Sequence, residues 1–385
     1  MERVVLITLF VLFLFACSDF TQKNLGDLGE PCFENGKCNG DLVCVDKVCV
    51  EAAADTDTVT DGADVTDLSD SSDSSEDTDE PVGDDVTDSS DVAVDDDTVI
   101  VDEDRVVDDD GLFPDADTDT SMIDCGPSPT GKGGPMCAVP GGDFWMGCNT
   151  AVDNECESDG REAPYHKVTL DAYLIDQYAV TNEEYQACVD AMVCTAKHYD
   201  DGTCYIYDGT TWVYGVVPAQ FRGATNPVVC VTWDEAKTYC EWAGKRLPTE
   251  AEWEKAARGT EGWKYPWGNL PFPTCEYAVM NDPNAGGLGC GTNGTLPVGS
   301  RPKGISPYGV YGMIGNVWEW VNDWYASDYY ASSPTNNPTG PETGACHVMR
   351  GGAWDSRPDT LRASSRLVGH PGTFHDSAYG FRCAK

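Results

Sequence analysis

The feature that most limits what this chain can fold into is a stretch of about seventy residues that builds no core. From Glu51 to Met122 the sequence is made of Asp, Ser, Thr and Val, with 28 acidic residues against the single base Arg105 between positions 51 and 120. A segment with almost no aromatic side chains buries too little apolar surface to offset the ordering entropy of its backbone, roughly 1–2 kcal/mol per residue. Its like charges repel, extending it beyond the span of about 45 Å expected of an unbiased coil of this length. It reads as a disordered acidic stalk, residues 51–122, and whatever folds must lie on either side. Runs of Asp can also capture calcium, but no Gly-punctuated loop repeats here at a fixed period, and mobile carboxylates hold Ca²⁺ weakly.

On the N-terminal side, Arg3 precedes an apolar run from Val4 to Ala16, interrupted only by Thr8, that ends Leu14-Phe15-Ala16-Cys17. Such a run is too short to span a bilayer as a helix, but it has the length of a signal-peptide core with a small residue before the cut. Residues 1–16 are therefore expected to be removed, leaving Cys17 at the new N-terminus in the bacterial lipoprotein pattern Leu-x-Ala-Cys. Acylation there would anchor the chain, since each buried CH₂ contributes about 0.8 kcal/mol. An ordinary secretory signal with an incidental Cys17 is the competing reading. Ser18 after the Cys favours the outer over the inner membrane of a bacterial envelope, and residues 17–27 form a tether.

The 18 cysteines agree with export, because disulfides persist outside the reducing cytosol. Residues 28–50 are too few for a hydrophobic core, yet they carry Cys32, Cys38, Cys44 and Cys49. Two disulfides would staple such a segment; a zinc site fits less well, since there is no His and no paired short Cys spacing. The formal charge of −42 argues against nucleic acid as a partner, because phosphate backbones need a basic face.

From residue 123 to 385 the composition changes to Trp, Tyr, Gly and Pro, and about 260 residues can bury one substantial core. Of the chain's 66 acidic and 24 basic residues, 38 and 23 lie outside the 51–120 stretch. Helix signals are few. Thr181-Asn182-Glu183-Glu184 is a capping box that opens a helix through Tyr185 and Cys188. A second helix begins near Asp234, placing Ala236, Tyr239, Cys240 and Trp242 on one face before Gly244 stops it. A third, shorter one opens at the box Thr249-Glu250-Ala251-Glu252. The remainder reads as loops and short strands, so the class expected is α+β with low regular secondary structure. Lys245, Arg246, Glu250, Glu252, Glu254 and Arg258 are read as groups that hold this fold together. Paired carboxylates also occur in glycoside hydrolysis, but sequence spacing does not supply the separation that chemistry requires.

The order of motifs is similar to the formylglycine-generating enzyme, or sulfatase-modifying factor, family. It runs through Pro140-Gly141-Gly142-Asp143-Phe144-Trp145-Met146-Gly147, Val180-Thr181-Asn182-Glu183-Glu184-Tyr185 and Gly244-Lys245-Arg246-Leu247-Pro248-Thr249-Glu250-Ala251-Glu252-Trp253-Glu254. It closes with Gly315-Asn316-Val317-Trp318-Glu319-Trp320, Arg350-Gly351-Gly352-Ala353-Trp354 and Gly380-Phe381-Arg382-Cys383. The resemblance covers the whole globular region and implies the family's fold, a distant relative of C-type lectin-like folds. It also implies two thiolates, five residues apart between the last two motifs, that bind Cu(I) and activate O₂ to oxidise a substrate Cys to formylglycine. Soft thiolates suit Cu(I). Aligned on Leu361-Arg362-Ala363-Ser364-Ser365-Arg366, those positions are Pro358 and Ala363, and no Cys lies between Cys346 and Cys383. Copper is therefore not expected. Nor do the five His form the His-x-x-x-His-x-Glu iron motif of a related branch; His370 and His375 alone lack the third and fourth ligands of a metal site.

The resemblance further implies a disulfide between Cys240 and Cys383. The other cysteines suggest local pairs, Cys125 with Cys137, Cys148 with Cys156, Cys188 with Cys194, Cys204 with Cys230 and Cys275 with Cys290, leaving Cys346 as the odd thiol. A structural calcium site is implied at the carbonyls of Gly315 and Val317 and the carboxylate of Glu319, with Gly312 in place of one family ligand, so that the site is weakened or empty. The expectation is an exported, lipid-anchored protein whose terminal module binds a protein, peptide or glycan. The alternatives are an oxidase-family enzyme that acts on an exported protein through an unrecognised site, and a purely structural surface protein.

Overall fold

The computed structural model describes residues 42–45, 48–51, 124–369 and 372–385. The expected signal peptide, Cys17, the stalk and His370 lie outside the described residues. Of the 28–50 segment it describes one antiparallel ladder, β1 (Leu42–Val45) with β2 (Val48–Glu51), in which Cys44 stands opposite Cys49.

The globular region is α+β, with short elements separated by long, ordered loops. A sheet of four strands forms its centre, in the order β12 (Arg366–Val368), β11 (His347–Arg350), β10 (Trp318–Trp324) and β13 (Tyr379–Phe381). Strand β13 runs parallel to β10 and the other pairs are antiparallel. Strand β10 carries a register shift between Trp320 and Trp324. A second sheet joins β3 (Cys125–Gly126), β4 (Met136–Val139) and β7 (Tyr173–Asp176). Two hairpins complete the strands, β5 (Gly142–Met146) with β6 (His166–Leu170) and β8 (Cys204–Tyr207) with β9 (Trp212–Gly215).

Three helices share one device at their N-termini. Helix α1 (Asn182–Asp190), α2 (Trp233–Trp242) and α3 (Glu250–Arg258) begin at Thr181, Thr232 and Thr249, each closing a capping box with the Glu three residues on. The box satisfies two otherwise orphaned N–H donors and adds negative charge where the helix dipole favours it. The second helix thus starts slightly earlier than its apolar pattern indicates, because Thr232 and Glu235 form the box. It buries Ala236, Tyr239 and Cys240, with Trp242 packed partly against the same core. Helix α3 has no solvent face: all nine of its residues, Glu250 to Arg258, are buried.

Six disulfides join Cys125–Cys137, Cys148–Cys156, Cys188–Cys194, Cys204–Cys230, Cys240–Cys383 and Cys275–Cys290. Cys240–Cys383 ties the last strand to α2, and Leu174 and Lys385 exchange backbone hydrogen bonds of 2.8 Å each way. Cys346 is not the odd thiol that counting suggests. It too is disulfide-bonded, and no free cysteine occurs among the described residues.

His347, at the start of β11, is 2% exposed and lies between Trp233 and Trp324, with ring centroids at 3.8 and 3.7 Å. Burial lowers its pKa to about 4, against a backbone hydrogen bond at Asp323 that raises it. Its folded pKa is depressed, so the unfolded chain binds more protons between about pH 4 and 6.5. Stability should therefore fall on acidification through that window, by up to about 3 kcal/mol from this residue. Denaturant titrations across pH 4–7 should show this slope, and His347→Phe, which keeps the stack, should flatten it.

Candidate functional site

The segment that carries the family's reactive thiols lies between β11 and β13, and three buried arginines hold it. Arg350 donates from Nη2 to Glu254 Oε2 at 2.6 Å and from Nη1 to Glu250 Oε1 at 3.1 Å. The same guanidinium reaches the carbonyls of Ala363 at 2.7 Å and Ser364 at 3.1 Å. Arg362 forks onto Glu162 at 2.6 and 2.8 Å and also reaches Asp153 at 3.2 Å. Arg366 forks onto Glu250 at 2.6 and 3.0 Å, donates to the carbonyl of Arg161 at 2.6 Å, and lies over the ring of Tyr330. Paired, charge-assisted bonds of this kind are the strong ones. Burial pushes the Glu254 carboxyl up, but Arg350 and Arg258 more than offset it, and the group stays below the usual carboxylate range.

The Arg350-Gly351-Gly352 motif is required by close approach. Gly351 and Gly352 have φ of +97° and +76°, and a Cβ on Gly352 would lie 2.2 Å from Leu361 Cδ2. That contact seats Leu361, which is fully buried, and so fixes the register of the residues after it.

Within this frame Pro358 opens a single 3-10 turn, Pro358–Thr360. Ala363 is fully buried; its N–H donates to the Lys264 carbonyl at 2.9 Å and its carbonyl is taken by Arg350. Neither residue offers a metal ligand, and every described cysteine is in a disulfide, so the segment does not fit Cu(I).

The charged residues singled out around α3 are bound to one another. Lys245 Nζ is 2.6 Å from Asp176, Arg246 forks onto Glu252 at 2.6 Å, and Arg258 is 2.9 Å from Glu254. No pair of carboxylates among them faces an open cleft with one acid free.

The turn of Gly315, Val317 and Glu319 leads into β10. Both Glu319 oxygens accept from Arg382, at 2.7 and 2.8 Å, and Oε2 also accepts from Trp253 Nε1 at 2.8 Å. The Gly315 carbonyl accepts from Val317 N at 2.9 Å. Calcium needs six to eight oxygens, and here a fixed guanidinium already takes both carboxylate oxygens. These residues therefore do not fit a calcium site built on Glu319. A cavity beside the turn, lined by Tyr277, Val279, Arg301, Tyr311 and Arg382, has a volume of about 30 Å³, room for water rather than an organic ligand.

Two groups of potential metal ligands converge elsewhere. Cys148, Asp153 and Cys156 are close together, but the two sulfurs are bonded to each other. His198, Glu235 and His375 bring their ligand atoms within 4.8 Å of one another. No local pattern signals this cluster, because its members come from three separate segments and only His370 stands near His375 in the sequence.

A model of the sulfatase-modifying factor enzyme 1-like domain matches residues 123–385, the whole globular region. The chain belongs to the sulfatase-modifying factor family. It is 38% identical over 281 residues to a formylglycine-generating enzyme of Streptomyces coelicolor, covering 64% of this chain and 87% of that one. It is 32% identical over 282 residues to the inactive C-alpha-formylglycine-generating enzyme 2 of Bos taurus, covering 65% of this chain and 87% of the relative. Among solved structures, PvdO from Pseudomonas aeruginosa superposes with a TM-score of 0.54 at 27% identity, covering 68% of this chain and 97% of PvdO. A sulfatase-modifying factor domain thus keeps its frame here while positions 358 and 363 carry Pro and Ala.

Breaking the frame should be costly. Glu254→Gln leaves Arg258 buried without its countercharge and Arg350 with Glu250 alone, and should lower unfolding free energy by about 3–5 kcal/mol. Lys167→Ala, which removes the exposed partner of Asp143, should cost about 0–1 kcal/mol. Urea denaturation of the two variants measures the difference.

Proposed function

We propose that this protein is an extracytoplasmic binding module, lipid-anchored through Cys17 and carried on its acidic stalk, that does not perform copper-dependent cysteine oxidation. The observation that carries this reading is the absence of a thiol at Pro358 and Ala363, with every described cysteine in the globular region closed in a disulfide. The similarity to a relative named as inactive is in keeping with it.

A surface suited to recognition lies on the β8–β9 hairpin. Tyr205 stacks on Trp212 at 5.5 Å and meets Tyr214 at 5.3 Å, with Phe374 at 6.0 Å. Tyr214 is 62% exposed and Val216 is 55% exposed. Aromatic rings supported from behind offer large contact area at low entropic cost, the property that peptide and glycan sites use. The ligand class proposed is an exported protein, peptide or glycan, with the outer membrane of a bacterial envelope as the anchoring surface.

Cu(I) titration of the oxidised chain, with oxygen uptake followed in the presence of a Cys-containing sulfatase-type peptide, tests the first half. No stoichiometric copper and no uptake are expected; tight copper with turnover would overturn the reading. Peptide and glycan arrays test the second half, where Tyr214→Ala should abolish saturable binding without changing the melting temperature. Labelled fatty acid should be incorporated in the bacterial host and lost in Cys17→Ala.

A further inference from the structure

We propose that His198, Glu235 and His375 form a binding site for a zinc-class divalent cation, distinct from the copper and calcium positions of the family. His198 Nε2 lies 3.0 Å from Glu235 Oε1, and His375 Nε2 lies 3.9 Å from Glu235 Oε2. The two imidazoles stack with centroids 3.9 Å apart. Ligands bound about 2.0–2.2 Å from one Zn²⁺ stand roughly 3–3.5 Å from each other; the ligand atoms here lie within 4.8 Å of one another and draw closer to share an ion. Two imidazoles and a carboxylate make a borderline donor set that suits zinc and disfavours calcium, which takes oxygen.

The surroundings resemble a built site more than a chance meeting of charges. His198 Nδ1 is 2.6 Å from Asp201 Oδ2, an arrangement that fixes the tautomer and aims the Nε2 lone pair at the cluster. Glu235 uses Oε2 to accept from Thr232 N at 2.9 Å in the capping box, while Oε1 faces His198 and accepts from Thr195. A metal bound through Oε1 would therefore leave the helix cap intact.

The three ligand-bearing segments are fastened together. Tyr205 N donates to the His375 carbonyl at 3.0 Å, and Ser377 N donates to Tyr205 O at 2.9 Å. Cys204 is bonded to Cys230, whose N–H donates to Asp376 O at 3.0 Å, and Trp233 N donates to Gly372 O at 3.2 Å. Ligands on segments held this way lose little entropy on binding. Side-chain exposures of 24% for His198, 17% for His375 and 13% for Glu235 leave a route for the ion and an open coordination position for water or a ligand group.

The alternative is an ion-pair cluster in which a protonated His198 joins Asp201 to Glu235 and no metal binds. Zn²⁺ titration of the full chain without a polyhistidine tag separates the two, with Co²⁺ as a spectroscopic substitute. One ion per chain is expected above the weak, exchangeable binding of the acidic stalk, with low-coordinate Co²⁺ absorption bands and a raised melting temperature. Asp201→Asn should weaken the site by about 10–100-fold. His375→Ala and His198→Ala should each weaken it further and remove the Co²⁺ bands. Glu235→Gln preserves the capping box, so a loss of affinity at an unchanged metal-free melting temperature reports ligation rather than misfolding. No stoichiometric ion in the parent chain, or binding unchanged in both His variants, would overturn the proposal.

Discussion

The fold depends on the pairing of two buried carboxylates with three buried guanidiniums. Glu250 and Glu254 project from α3, a helix with no exposed residue, and are met by Arg350, Arg366 and Arg258. An unpaired charge at such a depth carries a penalty of several kcal/mol, so each member requires the others. That mutual requirement fixes α3 against the β10–β11–β12 edge of the central sheet. It also specifies more than apolar packing would, because the forks accept partners only in one geometry.

Buried cations also answer a problem posed by low regular content. Loops leave carbonyls that no ladder or helix satisfies, and a buried carbonyl without a donor is costly. Here the side chains act as donors. Lys255 bonds the carbonyls of Pro140 and Gly142, and Arg258 those of Gly147, Gly262 and Trp263. Arg382 bonds those of Asp176 and Tyr311 while it neutralises Glu319. Charged residues in this sequence therefore replace part of the work that strands and helices do in more regular domains.

What could be read from the sequence follows from locality. The boxes Thr181–Glu184 and Thr249–Glu252 are set by contacts three residues apart, and both open helices where the pattern places them. Short-range cysteine pairs are equally local. The strands were not legible individually, because most are only two to five residues long and their partners are chosen by tertiary packing. Cys346 shows the limit of counting, since the pairs expected from sequence leave it over and yet it is disulfide-bonded. The His198, Glu235 and His375 cluster shows the limit of spacing: a loop, a helix N-terminus and a pre-strand segment meet only once the disulfide Cys204–Cys230 and the bridge between Tyr205 and Asp376 are in place.

This division also explains how the frame of the family can close without thiols at positions 358 and 363. Arg350 holds residues 363 and 364 through their carbonyls, and Arg362 and Arg366 hold their segment through their own side chains. None of these bonds uses the side chain at 358 or 363. A thiol at either position contributes reactivity but little to the hold on the backbone, so Pro and Ala can stand there while the arginine frame stays closed. Stability and reactivity are thus carried by different atoms of the same segment, and fold alone does not determine the chemistry.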